Sequence, residues 1–268
     1  MPTLQKISIS YDALGRPVKT VNPDGSEQLV VYGKPKSLSN PNDFSPSGWE
    51  KYTYDANDNA GRTHAASTGS YSDHWNTPKS EEIDALGRVI KTVEHNAHYN
   101  GSAYEDVILE YDYDIQGNLL EVNNNEHSTP TFQYKYDLAK KPLSVTHIDS
   151  GEKLTVYNAV GNPIEGKDAK DSFVLSTYDT LNRPLKSWAK NNLSDTNEAT
   201  RLVVENLYGD DSSVSSPKTN NLRGQLHKQW DEAGLVTHIE FDFKGNLLDK
   251  KRNVIELGDL QGQMDNFT

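Results

Sequence analysis

Apolar residues run along this chain in short pieces, a few at a time, cut by polar clusters rich in Asp, Asn, Gly, Ser and Pro. No long stripe with the 3.6-residue period of a helix survives those breaks. One aliphatic residue instead recurs in a fixed place after a turn signal: Val18, Ile90, Leu120, Leu143, Ile164, Leu185 and Leu248. A turn about every ten residues leaves strands of about five or six residues, the usual strand length. Short strands at such spacing predict an all-β chain.

The turn signal is a repeat. Tyr11-Asp12-Ala13-Leu14-Gly15-Arg16 returns as Ile83-Asp84-Ala85-Leu86-Gly87-Arg88, as Tyr113-Asp114-Ile115-Gln116-Gly117-Asn118 and as Tyr157-Asn158-Ala159-Val160-Gly161-Asn162. Phe241-Asp242-Phe243-Lys244-Gly245-Asn246 is the last copy, and weaker ones begin at Tyr136-Asp137 and Tyr178-Asp179. Aligned on the Gly position, the steps from Gly117 through Lys140 and Gly161 to Asn182 are 23, 21 and 21 residues. Asn182 to Gly224 is 42 residues and Gly224 to Gly245 is again 21. A second turn signal falls about half a period later, at Asn22 to Gly25, Asp149 to Gly151, Asp168 to Asp171 and Asp231 to Gly234.

The motif has a mechanical reading. The Asp accepts hydrogen bonds from backbone N–H groups two residues on and closes an Asx-turn. Two unrestricted residues then fit a type I turn. The Gly takes the left-handed conformation that a three-residue hairpin with a G1 bulge needs. Asn182 is the next-best residue for that conformation, while Lys140 there costs about 1 kcal/mol. The Tyr packs its ring over a neighbouring hairpin and keeps its hydroxyl near water. Hairpins of this kind bury no face alone but do so when stacked, and a stack of twisted strands curls. The expected fold is therefore a single β domain over residues 1–268, its hairpins stacked into a curled, spiral open sheet. The rhythm breaks twice, at about 33–80 and 191–221, where irregular insertions are expected. Tyr52-Thr53-Tyr54-Asp55-Ala56-Asn57 inside the first reads as one more degenerate unit.

Composition narrows the function. Hydrophobic residues make up only 34% of the chain, low for its 268 residues. Fourteen Tyr, four Trp and six Phe argue against disorder, which leaves a thin sheet with both faces partly wet. A net charge of −12 repels phosphate backbones, so nucleic acid is not an expected partner. No apolar run is long enough to span a bilayer. Residues Met1 to Ser10 lack the apolar core of a Sec signal, so secretion by another route or attachment at the cell surface is expected. The absence of Cys excludes disulfides, Cys-type zinc sites and thiol nucleophiles.

Candidate chemistry is thin. Asp112 to Gly117 resembles the opening of a calcium loop, but its fifth position is Gln116 and its twelfth Asn123, and the repeat accounts for the same residues. His95 and His98, three apart beside Glu94, read as a surface loop. A hydrolase built on that pair is the least favoured reading. His64, His74, His127, His147, His227 and His238 are scattered. Asn192-Leu193-Ser194 and Asn266-Phe267-Thr268 fit a glycosylation pattern that is common by chance, and Lys250-Lys251-Arg252 reads as a solvated strand end. No nucleophile-elbow, zincin, Walker A or dinucleotide motif is present. No enzyme activity, cofactor or metal is expected. The residues singled out are structural turn residues: Tyr11, Asp12, Gly15, Asp84, Gly87, Tyr113, Asp114, Gly117, Tyr136, Asp137, Tyr157, Gly161, Tyr178, Asp179, Asn182, Gly224, Asp231, Gly234, Asp242 and Gly245.

The repeat resembles the tyrosine-aspartate (YD) repeats of bacterial Rhs proteins and of the teneurins. The block Asn221-Leu222-Arg223-Gly224, Trp230 to Thr237 and Phe241 to Leu248 is similar to the Rhs region of the B component of insecticidal Tc toxin complexes. So are Trp75-Asn76-Thr77-Pro78 with Asp84 to Arg88, and Asn158 to Ile164. The resemblance runs from about Tyr11 to Val254. It implies a spiral sheet wound into a hollow shell that encloses a toxic polypeptide, with other shell segments, toxin-complex components and that polypeptide as protein partners. The family's propeller region, its D-P-x-G-L protease motif and a variable toxin tail have no counterpart here, so translocation and self-cleavage are not expected of this chain alone. The alternative is a stand-alone binding module, adhesin-like, meeting glycan or protein through the 33–80 and 191–221 loops.

Overall fold

The structure is a computed structural model and describes residues 6–64, 75–96 and 105–255. It is all-β: 18 strands, with no helix among the described residues, in an open antiparallel sheet in which each strand lies beside its neighbour in sequence. Two compact units divide the chain between Gln133 and Tyr134.

The first unit holds β1 (Ser8–Tyr11), β2 (Pro17–Val21), β3 (Glu27–Pro35), β4 (Phe44–Tyr54), β5 (Lys79–Ile83), β6 (Val89–Asn96), β7 (Glu105–Tyr113) and β8 (Leu119–Asn124). Strand β9 (Phe132–Tyr136) straddles the division. The second unit holds β10 (Pro142–His147), β11 (Gly151–Tyr157), β12 (Pro163–Lys167), β13 (Phe173–Tyr178), β14 (Pro184–Lys190), β15 (Arg201–Tyr208), β16 (Leu226–Asp231), β17 (Gly234–Phe241) and β18 (Leu247–Val254).

The YD turns join β1 to β2, β5 to β6, β7 to β8, β9 to β10, β11 to β12, β13 to β14 and β17 to β18. At these turns the register slips by one residue beside the Tyr or its stand-in: at Tyr11, Ile83, Tyr113, Tyr157, Tyr178 and Phe241. The slip is the bulge that the left-handed residue produces. Gly15 has φ of 76° and Asn182 of 62°; Lys140 is also left-handed at 65°.

Few side chains are buried, as a thin sheet requires. In the first unit Val31, Tyr52 and Tyr54 form a small core with Leu29 and Leu38 against it. In the second, Val214, Leu222 and Phe241 form another with Leu207. Each core lies against a long connection. The first uses the loop between β3 and β4, which contributes Leu38. The second uses residues 209–225 between β15 and β16, where Phe241 N–H donates to the Asn220 carbonyl at 3.0 Å and Asn221 Nδ2 donates to the Phe241 carbonyl at 2.8 Å.

The two stretches expected as insertions contain regular strands as well as loops. Residues 33–80 hold β4 with the ends of β3 and β5, and β15 lies within 191–221. Tyr54-Asp55 does not make a YD turn. Asp55 Oδ1 accepts the Asp58 N–H at 2.9 Å, and the chain runs into a buried polar knot instead of a hairpin. The physical reason is the missing Gly: Asp58 stands three residues after Asp55, where the other turns place a left-handed residue, and the first left-handed residue comes only at Gly61.

Backbone demand at two positions gives a test of opposite sign. Lys140→Gly removes left-handed strain and should raise stability by about 1 kcal/mol. Gly209→Ala should lower it by about 1–3 kcal/mol, because a Cβ there would meet the Leu222 carbonyl oxygen at 2.0 Å. Urea denaturation of the two variants checks both.

Candidate functional site

The recurring feature is an Asp that bonds its own turn and then reaches the next hairpin. In the first copy Asp12 Oδ1 accepts the N–H groups of Leu14 and Arg16, both at 2.9 Å. Oδ2 accepts the Arg16 guanidinium through Nε at 2.8 Å, with Nη2 also at 2.8 Å. Asp84 repeats this with Leu86 and Arg88 at 2.8 and 2.9 Å, and with Arg88 Nε at 2.7 Å. Asp179 does so with Leu181 and Arg183 at 2.9 and 2.8 Å, and with Arg183 Nε at 2.6 Å. Where the cation is replaced, an amide serves: Asn118 Nδ2 donates to Asp114 and Asn246 Nδ2 to Asp242, both at 2.7 Å. Asp137 and Asn158 keep the two backbone bonds.

The cation carries the contact onward. Arg16 lies 3.8 Å over the Tyr32 ring, Arg88 4.6 Å over Tyr113, Lys141 5.3 Å over Tyr157 and Arg183 4.0 Å over Tyr208. The tyrosine hydroxyl then donates to the carbonyl of the first residue after the turn. Tyr113 reaches Val89 at 2.8 Å, Tyr178 reaches Pro163 at 2.8 Å and Tyr208 reaches Pro184 at 3.0 Å. Tyr32 lies 3.4 Å from Pro17 O. Thus Asp, Arg, Tyr and a carbonyl form a relay from one hairpin to the next. Charge-assisted bonds and cation–π stacking make it stronger than its exposure suggests.

The sequence marks the Asp, the Gly and the Tyr but not the cation, although Arg16, Arg88, Lys141 and Arg183 all stand four residues after the Asp position. Gly224 belongs to a split turn. Its N–H donates to both oxygens of Asp210, 3.0 Å each, and Arg183 Nη1 reaches Asp210 at 2.7 Å, so the carboxylate comes from fourteen residues upstream. Asp231 serves the opposite rim: it accepts the Ala233 N–H at 2.9 Å and both Nη atoms of Arg252 at 2.7 and 2.9 Å. Gly234 follows with φ of 128°, pressed against the Asn253 carbonyl.

Each turn also exposes an apolar tip: Leu14, Leu86, Ile115, Leu138, Val160, Leu181 and Phe243. Asp114, considered as a calcium ligand, has both oxygens engaged by Gln116, Asn118 and its amide. His95 lies in β6 and not in a loop; its Nδ1 is 2.8 Å from Asp106 Oδ1 across the strand pair, and its ring stacks on Tyr52. The β period continues through Asn96, which places the imidazole over the sheet. His98, His74 and the Asn266 pattern lie outside the described residues. Among the described residues no cluster of His, Asp and Glu is arranged to hold a metal ion.

Electrostatics separate two kinds of carboxyl. The Arg16 backbone N–H, more than any other group, holds Asp12 below the usual carboxylate range, and the Arg88 N–H does the same for Asp84. The Asn246 amide lowers Asp242 and the Arg183 guanidinium lowers Asp210. In the knot the direction reverses. Burial raises Asp58, against bonds from the Asp55 N–H and from Thr77, and burial pushes the Tyr54 hydroxyl up to about 12. Arg62 closes the knot, donating to the Ser39 carbonyl at 2.9 Å and to Asn59 Oδ1.

Comparison with known proteins agrees with this geometry. No family model matches the chain. The toxin subunit YenC2 of Yersinia entomophaga is 23% identical over 195 residues, which are 67% of this chain and 20% of that protein. The crystal structure of TcdB2-TccC3 superposes on 98% of this chain and 12% of its own, with a TM-score of 0.75 at 19% identity. The chain is thus a YD-repeat sheet similar in sequence to a Tc toxin subunit and in fold to the Tc toxin structures. A Tc holotoxin pore of Photorhabdus luminescens gives a TM-score of 0.74 over 97% of this YD-repeat chain, again at 19% identity. The YD-repeat chain thus spans about one fifth of the curated relative's length and about one eighth of the solved chains. No helix among its described residues is long and apolar enough to cross a membrane.

Two measurements test the relay. Tyr113→Phe should cost about 1 kcal/mol, whereas Tyr11→Phe should cost close to nothing, since Tyr11 is 59% exposed and its hydroxyl makes no hydrogen bond among the described residues. Urea midpoints of the two variants decide. Acid should also unfold the chain: carboxyls lowered on folding contribute stability above their unfolded value near 3.9, and lose it as the pH falls through their folded values. The midpoint should therefore drop between about pH 4 and 2, and Asp84→Asn should shrink that drop.

Proposed function

We propose that this chain is a non-catalytic wall segment of a Tc/Rhs-type toxin shell, helping to enclose a toxic polypeptide. The observation that carries the reading is the sheet itself. Its hairpins are locked to one another by the Asp–Arg–Tyr relay and bury only two small cores among the described residues, so the stability of the wall is spread along its length instead of resting in one centre. Such a wall has two broad faces and extends by adding hairpins. The alignment with the toxin subunit YenC2 and the superposition on TcdB2-TccC3 support the same reading. Its partners are other shell segments and toxin-complex components, of which the Rhs region of the B component is the type this chain's C-terminal block is similar to. The enclosed polypeptide acts elsewhere; the shell keeps it unfolded and away from solvent. Export follows the toxin complex. The whole chain serves as one domain, with the turn residues named above as its structural sites.

The test is assembly. The chain is co-expressed with a Tc C component carrying its variable tail, then purified and treated with protease. Co-purification with a tail that resists cleavage is expected. A chain that stays alone while the tail is digested would overturn the shell reading, and selective retention on a glycan array would then favour the adhesin-like alternative.

A further inference from the structure

The strand pairs that follow YD turns obey one register. The residue seven after the turn Asp or Asn faces the residue three before the next hairpin's Tyr. This holds for Lys19 with Leu29, Lys91 with Glu110, Glu121 with Gln133, Ser144 with Leu154, Glu165 with Leu175 and Lys186 with Glu205. At several of these junctions the facing side chains are complementary: Lys91 bridges Glu110 at 3.5 Å, Lys186 bridges Glu205 at 2.9 Å and Gln133 donates to Glu121 at 2.8 Å.

Among the described residues, the last YD turn leaves its half of such a junction open. Strand β18 pairs with β17, and all eight of its residues are exposed. Asn246 stands where Arg88 and Arg183 meet a Tyr, and Leu247 supplies the carbonyl position that Val89 and Pro184 use. Seven residues after Asp242 comes Asp249, which faces Glu240 on its paired side. Lys251 faces the uncharged Thr237, and neither it nor Asp249 makes an ion pair among the described residues.

We infer that β18 is the acceptor edge for one added antiparallel strand of defined chemistry: a Tyr set against Asn246, a cation three residues before it facing Asp249, and a carboxylate five residues before it facing Lys251. The Tyr hydroxyl would reach the Leu247 carbonyl. An exposed edge of eight residues takes such a strand through its backbone groups and reads it through alternate side chains. A second copy of this chain fits poorly. In the same register its Tyr11 would bring Ser8 opposite Asp249 and Lys6 opposite Lys251, a like-charge pair. The biological source of the strand, a neighbouring shell segment, rests on the shell reading; its chemistry rests on the register alone.

The probe is a synthetic peptide with the sequence of residues 106–114 carrying Ile108→Glu and Glu110→Lys, which sets both charges relative to Tyr113. It is added at up to about 1 mM, enough to reveal binding with a millimolar Kd, and amide hydrogen exchange is followed in the full chain. Expected is slowed exchange confined to β18. Binding should weaken at least about tenfold in the Asp249→Lys, Lys251→Glu variant. A peptide with Ile108→Lys and native Glu110 should restore it. No slowing at β18, slowing elsewhere, or binding indifferent to the charge reversal would overturn the inference. Self-association through β18 without peptide would do so too, by making a second copy the occupant. These outcomes are independent of cargo protection. A chain that assembles a protease-resistant shell yet ignores the peptide fails this inference alone, and one that takes the peptide but protects no cargo fails the shell reading alone.

Discussion

Everything in this sheet depends on a carboxylate held at a hairpin corner. Asp12, Asp84 and Asp179 each accept two backbone N–H groups with one oxygen and an arginine with the other. The first pair of bonds fixes the turn. The second fixes a guanidinium, which would otherwise sweep through solvent on a flexible stem. A fixed guanidinium offers a flat surface to the Tyr of the next hairpin, whose hydroxyl then finds a carbonyl just past the same corner. Local turn chemistry is thereby converted into contact between hairpins, in a chain too polar to rely on a large core.

The corner also explains how substitutions are tolerated. Asn158 replaces Asp and keeps both backbone bonds. Asn118 and Asn246 replace the arginine and still meet the second oxygen. At Gly224 the carboxylate arrives from Asp210, across an inserted loop that buries Leu222. The constraint is therefore on the position of an oxygen atom, and different stretches of chain can supply it. A sheet built so can lengthen by units without a new core for each, which is what a wall requires.

Much of this was legible in the sequence because turn chemistry is local. The Asp and the left-handed Gly or Asn follow from bonds within five residues, and the copies can be counted along the chain because each carries that local mark. Even Lys140 keeps the left-handed backbone despite its side chain, as its place in the period requires. What was not legible depends on contacts between distant residues. The Asp58 knot joins Asp55 to Arg62 with Thr77, nineteen residues beyond Asp58, and nothing local announces it. His95 continues β6 because Asp106 faces it on β7, a partner eleven residues away. The arginine four residues after the Asp was visible but uninterpreted, since its meaning appears only when the next Tyr lies beneath it.

A double-mutant cycle between Asp84→Ala and Tyr113→Phe tests the relay most directly, because the two side chains meet only through Arg88 and the turn it closes. The account predicts that the two losses in unfolding free energy are not additive, with a coupling of about 0.5 kcal/mol or more. Strictly additive losses would contradict it and reduce the corner to a turn that happens to lie near a tyrosine.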